Sequence, residues 1–319
     1  MKIDQYDVEI TSTDKIMFPT SGITKGDLID YYHRMADVML PHLEGRPVSL
    51  QRFPQGIDKT GFYQKEAPDY FPEWVRRIRV ALKDDEVGQE QVVIENAASL
   101  VYLAQQNTIT LHSWLSRTKL EQKDEREQEF EPVDTSIQYP DRLILDLDPP
   151  QDDFDLVRPA AWLVHDILQA LDVEPFVMTT GGRGVHVVIP LDQSADFDEA
   201  KAFARRLAEF IASKKPEKLT TEQRIEAREG RLFIDYLRNA YAQTGVTPYS
   251  VRAKEGAPVA TPLDWEELNR KDLHARSYNI RNIFKRLGQK RDPWGEINKK
   301  TVSITAVRAL FDQLDRPGG

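Results

Sequence analysis

A chain of 319 residues with 40% hydrophobic and 30% charged residues has the make-up of a soluble globular enzyme, long enough for one large domain or two modest ones. Its formal charge of −9 argues against a protein held to nucleic acid by its global field, so any such argument must come from particular residues. The absence of cysteine excludes disulfides, zinc–thiolate sites and thiol nucleophiles. No apolar run approaches the roughly 18–20 residues that a bilayer span needs, and Met1–Asp7 lacks the apolar core of a secretory signal, so no membrane role and a cytoplasmic location are expected.

Thr24 reads as a helix N-cap with Asp27 three residues on, near the positive end of the helix dipole. The helix it opens carries Leu28, Tyr31, Tyr32, Met35, Val38 and Met39 at helical spacing, a predicted core face. Strand-like runs follow at Pro47–Phe53, Gly61–Lys65, Val75–Val80 and Gln91–Glu95, then a helix over about Ala97–Gln106 and a strand at Thr108–Trp114. The acidic run Glu121–Glu131 reads as a solvated loop or helix face and the best internal boundary. Beyond it the order is strand (Arg142–Leu147), helix (about Leu156–Leu171), strand (Phe176–Met178), strand (Val185–Pro190), helix (Phe197–Ser213) and strand (Leu232–Tyr236). That order suits a ferredoxin-like split βαβ unit, in which the first and fourth strands can lie close together. Tyr249–Ala253 reads as a short strand, and Trp265–Leu268, Tyr278–Arg286 and Val302–Leu314 as short helices. The expected class is α+β, with a central, mostly antiparallel sheet flanked by helices and an N-terminal α/β part packed on it. The whole chain is expected to form one catalytic module, with sub-parts at about 1–120, 132–290 and 291–319.

The stretch Leu143–Pro150 ends an apolar strand with Asp146 and Asp148, one residue apart. Strand side chains alternate, so both carboxylates point one way and Leu145 and Leu147 the other, while Pro149 and Pro150 stop the ladder. Two like charges at a buried strand end repel and resist desolvation, and a hard divalent cation relieves both. A solvated Asp-Pro turn is the plain alternative. Thr179–Pro190 holds three glycines, with Arg183 suited to phosphate and His186 on the face opposite Val185 and Val187; a tight hairpin with a solvent-facing arginine reads equally well. Asp235 follows a further apolar run and is flanked by Arg228 and Arg238, although an ordinary strand-terminal Asp fits too. Phe62 and Tyr63, near Arg52 and Lys65, offer a base-stacking platform or simply core aromatics. Arg252 lies on the late strand-like run, and His112 ends another. Together, three carboxylates for two metals, a phosphate loop, an aromatic platform and scattered arginines describe nucleotidyl transfer by two-metal catalysis.

The motifs Leu-Asp-Leu-Asp-Pro-Pro, Thr-Gly-Gly-Arg-Gly-Val-His and Ile-Asp-Tyr-Leu-Arg-Asn occur here in one order and at fitting separations, joined by Gly45–Val48, Phe62–Lys65 and Pro248–Arg252. Over roughly residues 10 to 290 the chain resembles the polymerase domain of bacterial ligase D, a branch of the archaeo-eukaryotic primase superfamily. The resemblance implies a primase-polymerase fold and a DNA-dependent nucleotidyltransferase. It implies that Asp146, Asp148 and Asp235 hold two ions, manganese or magnesium. Thr180, Gly181, Arg183, His186, Arg228, Arg238 and Arg252 would bind the incoming NTP or dNTP, with Arg52 and Lys65 also in the nucleotide site, Phe62 and Tyr63 stacked on the base and His112 near the sugar or phosphates. Ser12, Lys15 and Lys25 would take a DNA 5′-phosphate. The family fills short gaps and extends 3′ ends at broken DNA in non-homologous end joining, often with ribonucleotides, alongside Ku and a DNA ligase. A bacterial, nucleoid-associated protein is therefore expected. The chain departs from the family's usual residues at Ser12, Gln51, Thr180 and Arg183, where Asn, Lys, Ser and Lys are common. It carries no ligase or phosphoesterase motif, as expected of a stand-alone polymerase or of one module of a longer protein. Two other readings stand beside this one: a haloacid-dehalogenase-type phosphatase with Asp146 as nucleophile, and a non-catalytic DNA-end-binding module.

Overall fold

The computed structural model describes residues 1–82, 85–119 and 135–316, and the acidic run Glu121–Glu131 lies outside them. In chain order the elements are β1 (Lys2–Ile3), β2 (Tyr6–Asp7), β3 (Ile16–Phe18), β4 (Ile23–Thr24), α1 (Lys25–Leu43), β5 (Pro47–Arg52), β6 (Phe62–Gln64), β7 (Arg77–Leu82), β8 (Asp85–Val93), α2 (Ala97–Gln105) and β9 (Thr108–Trp114). They continue with β10 (Arg142–Asp148), α3 (Phe154–Ala170), β11 (Phe176–Thr179), β12 (Val185–Pro190), α4 (Phe197–Lys214), β13 (Leu219–Thr220), β14 (Leu232–Asp235), β15 (Thr244–Val246), β16 (Thr261–Leu263), α5 (Ile283–Leu287) and α6 (Ile304–Leu314). Among the described residues, no helix is long and apolar enough to cross a membrane.

The chain divides into two compact units. The first comprises residues 1–137, 244–259 and 279–284; the second comprises 138–243, 260–278 and 285–319.

In the first unit an antiparallel sheet runs β15–β9–β5–β8–β7, with β6 added to the far half of β5. Thr24 caps α1 as the sequence suggests: its hydroxyl accepts from the Asp27 amide, and Asp27 accepts from the Thr24 amide. Leu28, Tyr31, Tyr32, Met35 and Met39 are buried, whereas Val38 is only half-buried. Burying two tyrosines requires partners for their hydroxyls. Tyr31 donates to the Tyr249 carbonyl at 2.7 Å and Tyr32 to the Ile109 carbonyl at 2.6 Å.

The second unit answers the split βαβ expectation. Its sheet runs β13–β14–β10–β12–β11–β16, antiparallel except for the short β13–β14 pair. The first and fourth strands of the motif, β10 and β14, are neighbours. Leu143, Leu145 and Leu147 of β10, Val185 and Val187 of β12, and Ile234 of β14 join one core with α3 and α4. The alternate residues of those strands face the other way.

Several sequence expectations are corrected. Tyr249–Ala253 is not a strand: Tyr249 has φ +65°, which breaks an extended run, and only Val251 makes an isolated bridge, to Val259. Helix over Tyr278–Arg286 shrinks to α5, because Asn279 and Asn282 tie the preceding residues into turns. The strands read at Val75–Val80 and Gln91–Glu95 are shifted into a longer β7–β8 hairpin. His112 sits within β9 rather than at its end.

Candidate functional site

The acids of the second unit are placed by strand register. Asp146 on β10 stands directly opposite Asp235 on β14 and, on its other side, opposite His186 on β12. Directly paired residues share a face, so Asp146, Asp235, His186 and, two residues along, Asp148 all project from the side away from the helices. The third carboxylate therefore lies beside the first two.

Arginines and backbone hold this group. Arg238 Nε donates to Asp146 Oδ2 at 2.9 Å, and His186 Nε2 lies 3.5 Å from the same oxygen. Arg183 Nη2 donates to Asp148 Oδ2 at 2.9 Å, with Arg228 Nη1 at 3.6 Å. The Leu237 amide donates to Asp235 Oδ1 at 2.8 Å. Each carboxylate is thus engaged through one oxygen. Burial works against a charged Asp146, but His186 and Arg238 outweigh it and hold the carboxyl well below the usual range. Burial, with the charge of Asp146, pushes both Asp148 and Asp235 upward; Arg183 and Arg228 oppose this at Asp148, and the Leu237 amide and Arg238 at Asp235. His186 is buried, and its Nδ1 has no hydrogen-bond partner among the described residues.

The glycine loop between β11 and β12 closes on itself. The Thr180 amide and hydroxyl both donate to the Gly184 carbonyl at 3.1 Å, and the Gly182 amide donates to Thr180 Oγ1 at 3.2 Å. Gly181 adopts φ +64°. A Cβ on Gly184 would lie 1.8 Å from the Leu147 carbonyl oxygen, so only glycine lets the loop rest against β10 beside Asp148. Among the described residues, no three His, Cys, Asp or Glu side chains gather tightly enough to hold an ion as they stand. The arginines hold oxygens that a cation would share. The donor set still fits one: three carboxylates on one face, each with an uncommitted oxygen, two of them destabilised as anions by burial and by a like charge.

The other candidate residues belong to the first unit. Phe62 and Tyr63 on β6 are 46% and 59% exposed, far more than core aromatics would be. Tyr63 lies 5.6 Å from the His112 ring, centroid to centroid. Arg52 is buried and serves as a brace, donating to the Gln106 carbonyl, to Gln64 and to the Tyr70 hydroxyl, with Phe62 5.6 Å from its guanidinium. Lys65 is exposed, and Arg252 is half-buried with its amide bonded to the Pro258 carbonyl. Ser12 and Lys15 form a turn at the start of α1: the Lys25 amide donates to the Lys15 carbonyl and the Gly26 amide to the Thr13 carbonyl, each at 2.8 Å. Lys15 Nζ also reaches the Pro54 carbonyl. Burial, and then the charge of Lys15, lower the Lys25 ammonium.

Sequence reasoning missed Asn239. Its amide donates to the Ile144 carbonyl and its oxygen accepts from the Ile144 amide, both at 2.7 Å, clamping the turn after β14 to β10. Asn239 closes the Ile-Asp-Tyr-Leu-Arg-Asn motif, but its partner lies 95 residues away.

A profile of the LigD primase-polymerase domain matches residues 24–294. The chain belongs to this family. The chain is similar to the Multifunctional non-homologous end joining protein LigD of Mycobacterium bovis, 31% identical over 85% of this chain and 35% of the relative. The protein of the same name from Pseudomonas aeruginosa is 32% identical over 97% of this chain and 35% of the relative. The Bifunctional non-homologous end joining protein LigD of Bacillus subtilis is 30% identical over 97% and 47%. The chain thus spans 35–47% of the length of these relatives. The solved polymerase domain of Mycobacterium tuberculosis ligase D, in complex with DNA, superimposes with a TM-score of 0.83 at 29% identity, covering 93% of this chain and 99% of that one. The primase-polymerase fold expected from the sequence is therefore the fold of this LigD-family chain.

Proposed function

We propose that this LigD-family chain is a DNA-dependent nucleotidyltransferase that extends 3′ ends and fills short gaps at DNA breaks in non-homologous end joining. It would use NTP or dNTP, often the former, alongside Ku and a ligase. One observation carries the reading: Asp146 lies in register between Asp235 and His186, with Asp148 on the same face. Asp146, Asp148 and Asp235 would hold two manganese or magnesium ions, which when bound stabilise the attacking and leaving oxygens of an in-line phosphoryl displacement. Arg183, with those amides of the Thr180–Gly184 loop that are not bonded within it, offers donors for the triphosphate, and Arg228 and Arg238 can share their guanidinium groups between the carboxylates and phosphate. In the first unit, Phe62 and Tyr63 offer ring faces to a base, and Ser12, Lys15 and Lys25 a cationic turn to a 5′-phosphate.

The phosphatase alternative is disfavoured, because its Asp nucleophile belongs to a parallel, doubly wound sheet whereas β10 has antiparallel neighbours on both sides. A purely binding module needs no row of clustered acids. The test is extension of a primer across a gapped duplex, with manganese or magnesium and with NTP against dNTP. Asp146→Ala is expected to abolish extension while primer–template affinity stays within about twofold; full extension by that variant would overturn the reading.

A further inference from the structure

The glycine loop of the second unit is held from outside by a residue that neither motif contains. Arg276 Nε donates to the Gly182 carbonyl at 2.7 Å, and Arg276 Nη2 donates to both oxygens of Asp152 at 3.0 Å. Asp152 lies four residues after Asp148, past Pro149, Pro150 and Gln151. One guanidinium therefore ties the segment leaving the carboxylate strand to the tip of the loop.

Arg276 is itself well anchored. Leu273 and Ala275 are buried in the core of the unit, the His274 amide donates to Ser277 Oγ at 2.8 Å, and the Arg276 amide donates to His274 Nδ1 at 3.2 Å. The turn fixes the backbone from which the side chain reaches the loop.

The bond to Gly182 has a consequence set by peptide geometry. In a planar trans peptide the carbonyl and the following amide point in opposite directions. With the Gly182 carbonyl drawn to Arg276, the amide of Arg183 is turned the other way, and it makes no hydrogen bond among the described residues. Gly182 stands on one side of this peptide and Arg183 on the other, with Gly181 and Gly184 next in line, and backbone freedom at these glycines leaves its orientation in need of a tether. We propose that Arg276, braced by Asp152, is the positioning residue that fixes the Gly182–Arg183 peptide with its amide presented to the triphosphate of the incoming nucleotide. This rests on the nucleotidyltransferase reading above and identifies a residue through which that site acquires its affinity.

The decisive measurement is equilibrium binding of a fluorescent ATP analogue in manganese, beside primer–template binding and steady-state extension, for wild type, Arg276→Ala, Arg276→Lys, Asp152→Ala and the Arg276→Ala/Asp152→Ala pair. Loss of one oriented donor to a charged phosphate should weaken nucleotide binding about tenfold in Arg276→Ala. KM should rise in step, with kcat and primer–template affinity within about twofold to threefold of wild type. Lysine can hold only one of the two partners and should restore binding in part. Asp152→Ala should show a smaller loss, and the double variant should be no worse than Arg276→Ala, since the two act as one unit. Wild-type nucleotide affinity in Arg276→Ala would overturn the inference, as would equal losses of nucleotide binding, DNA binding and thermal stability. If wild type itself neither binds the nucleotide nor extends a primer, the underlying functional reading fails instead.

Discussion

The two units carry their candidate residues on different kinds of support. In the second, Asp146, Asp235 and His186 are consecutive rungs across β14, β10 and β12, each strand anchored on its reverse side by the leucines, valines and isoleucine that meet α3 and α4. In the first, Phe62 and Tyr63 stand on a three-residue strand paired to β5, and Lys15 sits in a turn beside the start of α1. Under the proposed function, the groups that would meet within a few ångströms are set by backbone register, and those that would grip a flexible polymer are mounted on short elements. Substitutions in the second unit should therefore damage the site through its framework. Those at Phe62, Tyr63 and Lys15 in the first should weaken affinity and leave the fold alone.

The largest effect is expected at Gly184. Its Cβ would press on the Leu147 carbonyl, a backbone atom within β10, so Gly184→Ala should cost about 3 kcal/mol in urea unfolding and remove primer extension. An alanine variant with unchanged midpoint and activity would show that the loop does not rest on β10. Next, Asn239→Ala strands the amide and carbonyl of Ile144 in a buried place, and about 2 kcal/mol of stability should be lost together with extension. Retained activity there would mean that the strand pairing alone sets the acids. Tyr63→Ala should leave the melting temperature unchanged and weaken primer–template or nucleotide binding by about 1–2 kcal/mol, the scale of one base stacked on a ring. A collapse in stability would instead mark Tyr63 as a packing residue. The smallest change is expected from Lys15→Ala: the preference for a 5′-phosphorylated gap should shrink, and the salt dependence of DNA binding should flatten by about one phosphate contact. Indifference of wild type to the 5′-phosphate would remove that role from Lys15 and Lys25.

The acid row was legible because an apolar strand ending in Asp-x-Asp fixes which side chains share a face, and because β12 and β14 carry the same alternation. The split βαβ order was legible for the same reason. Asn239 was not, since its partner is a backbone group far away in sequence and no local pattern announces such a clamp. The β7–β8 hairpin was misjudged because Asp85–Glu90 is polar and contains Gly88, which reads as a loop, yet pairing with β7 draws it into the sheet. Tyr249–Ala253 erred in the opposite direction: its composition favours a strand, but the left-handed backbone at Tyr249 ends any extended run.

The discontinuous division of the chain bears on how the protein can be cut or rearranged. A fragment ending at residue 137 lacks β15, which lines the outer side of β9, and lacks Tyr249, whose carbonyl receives the buried Tyr31 hydroxyl. A fragment beginning at 138 carries those stretches with nothing of their own sheet to join. Neither half is then an autonomous folding piece, and dissection at the acidic run should yield two aggregation-prone products rather than a pair of independently usable modules.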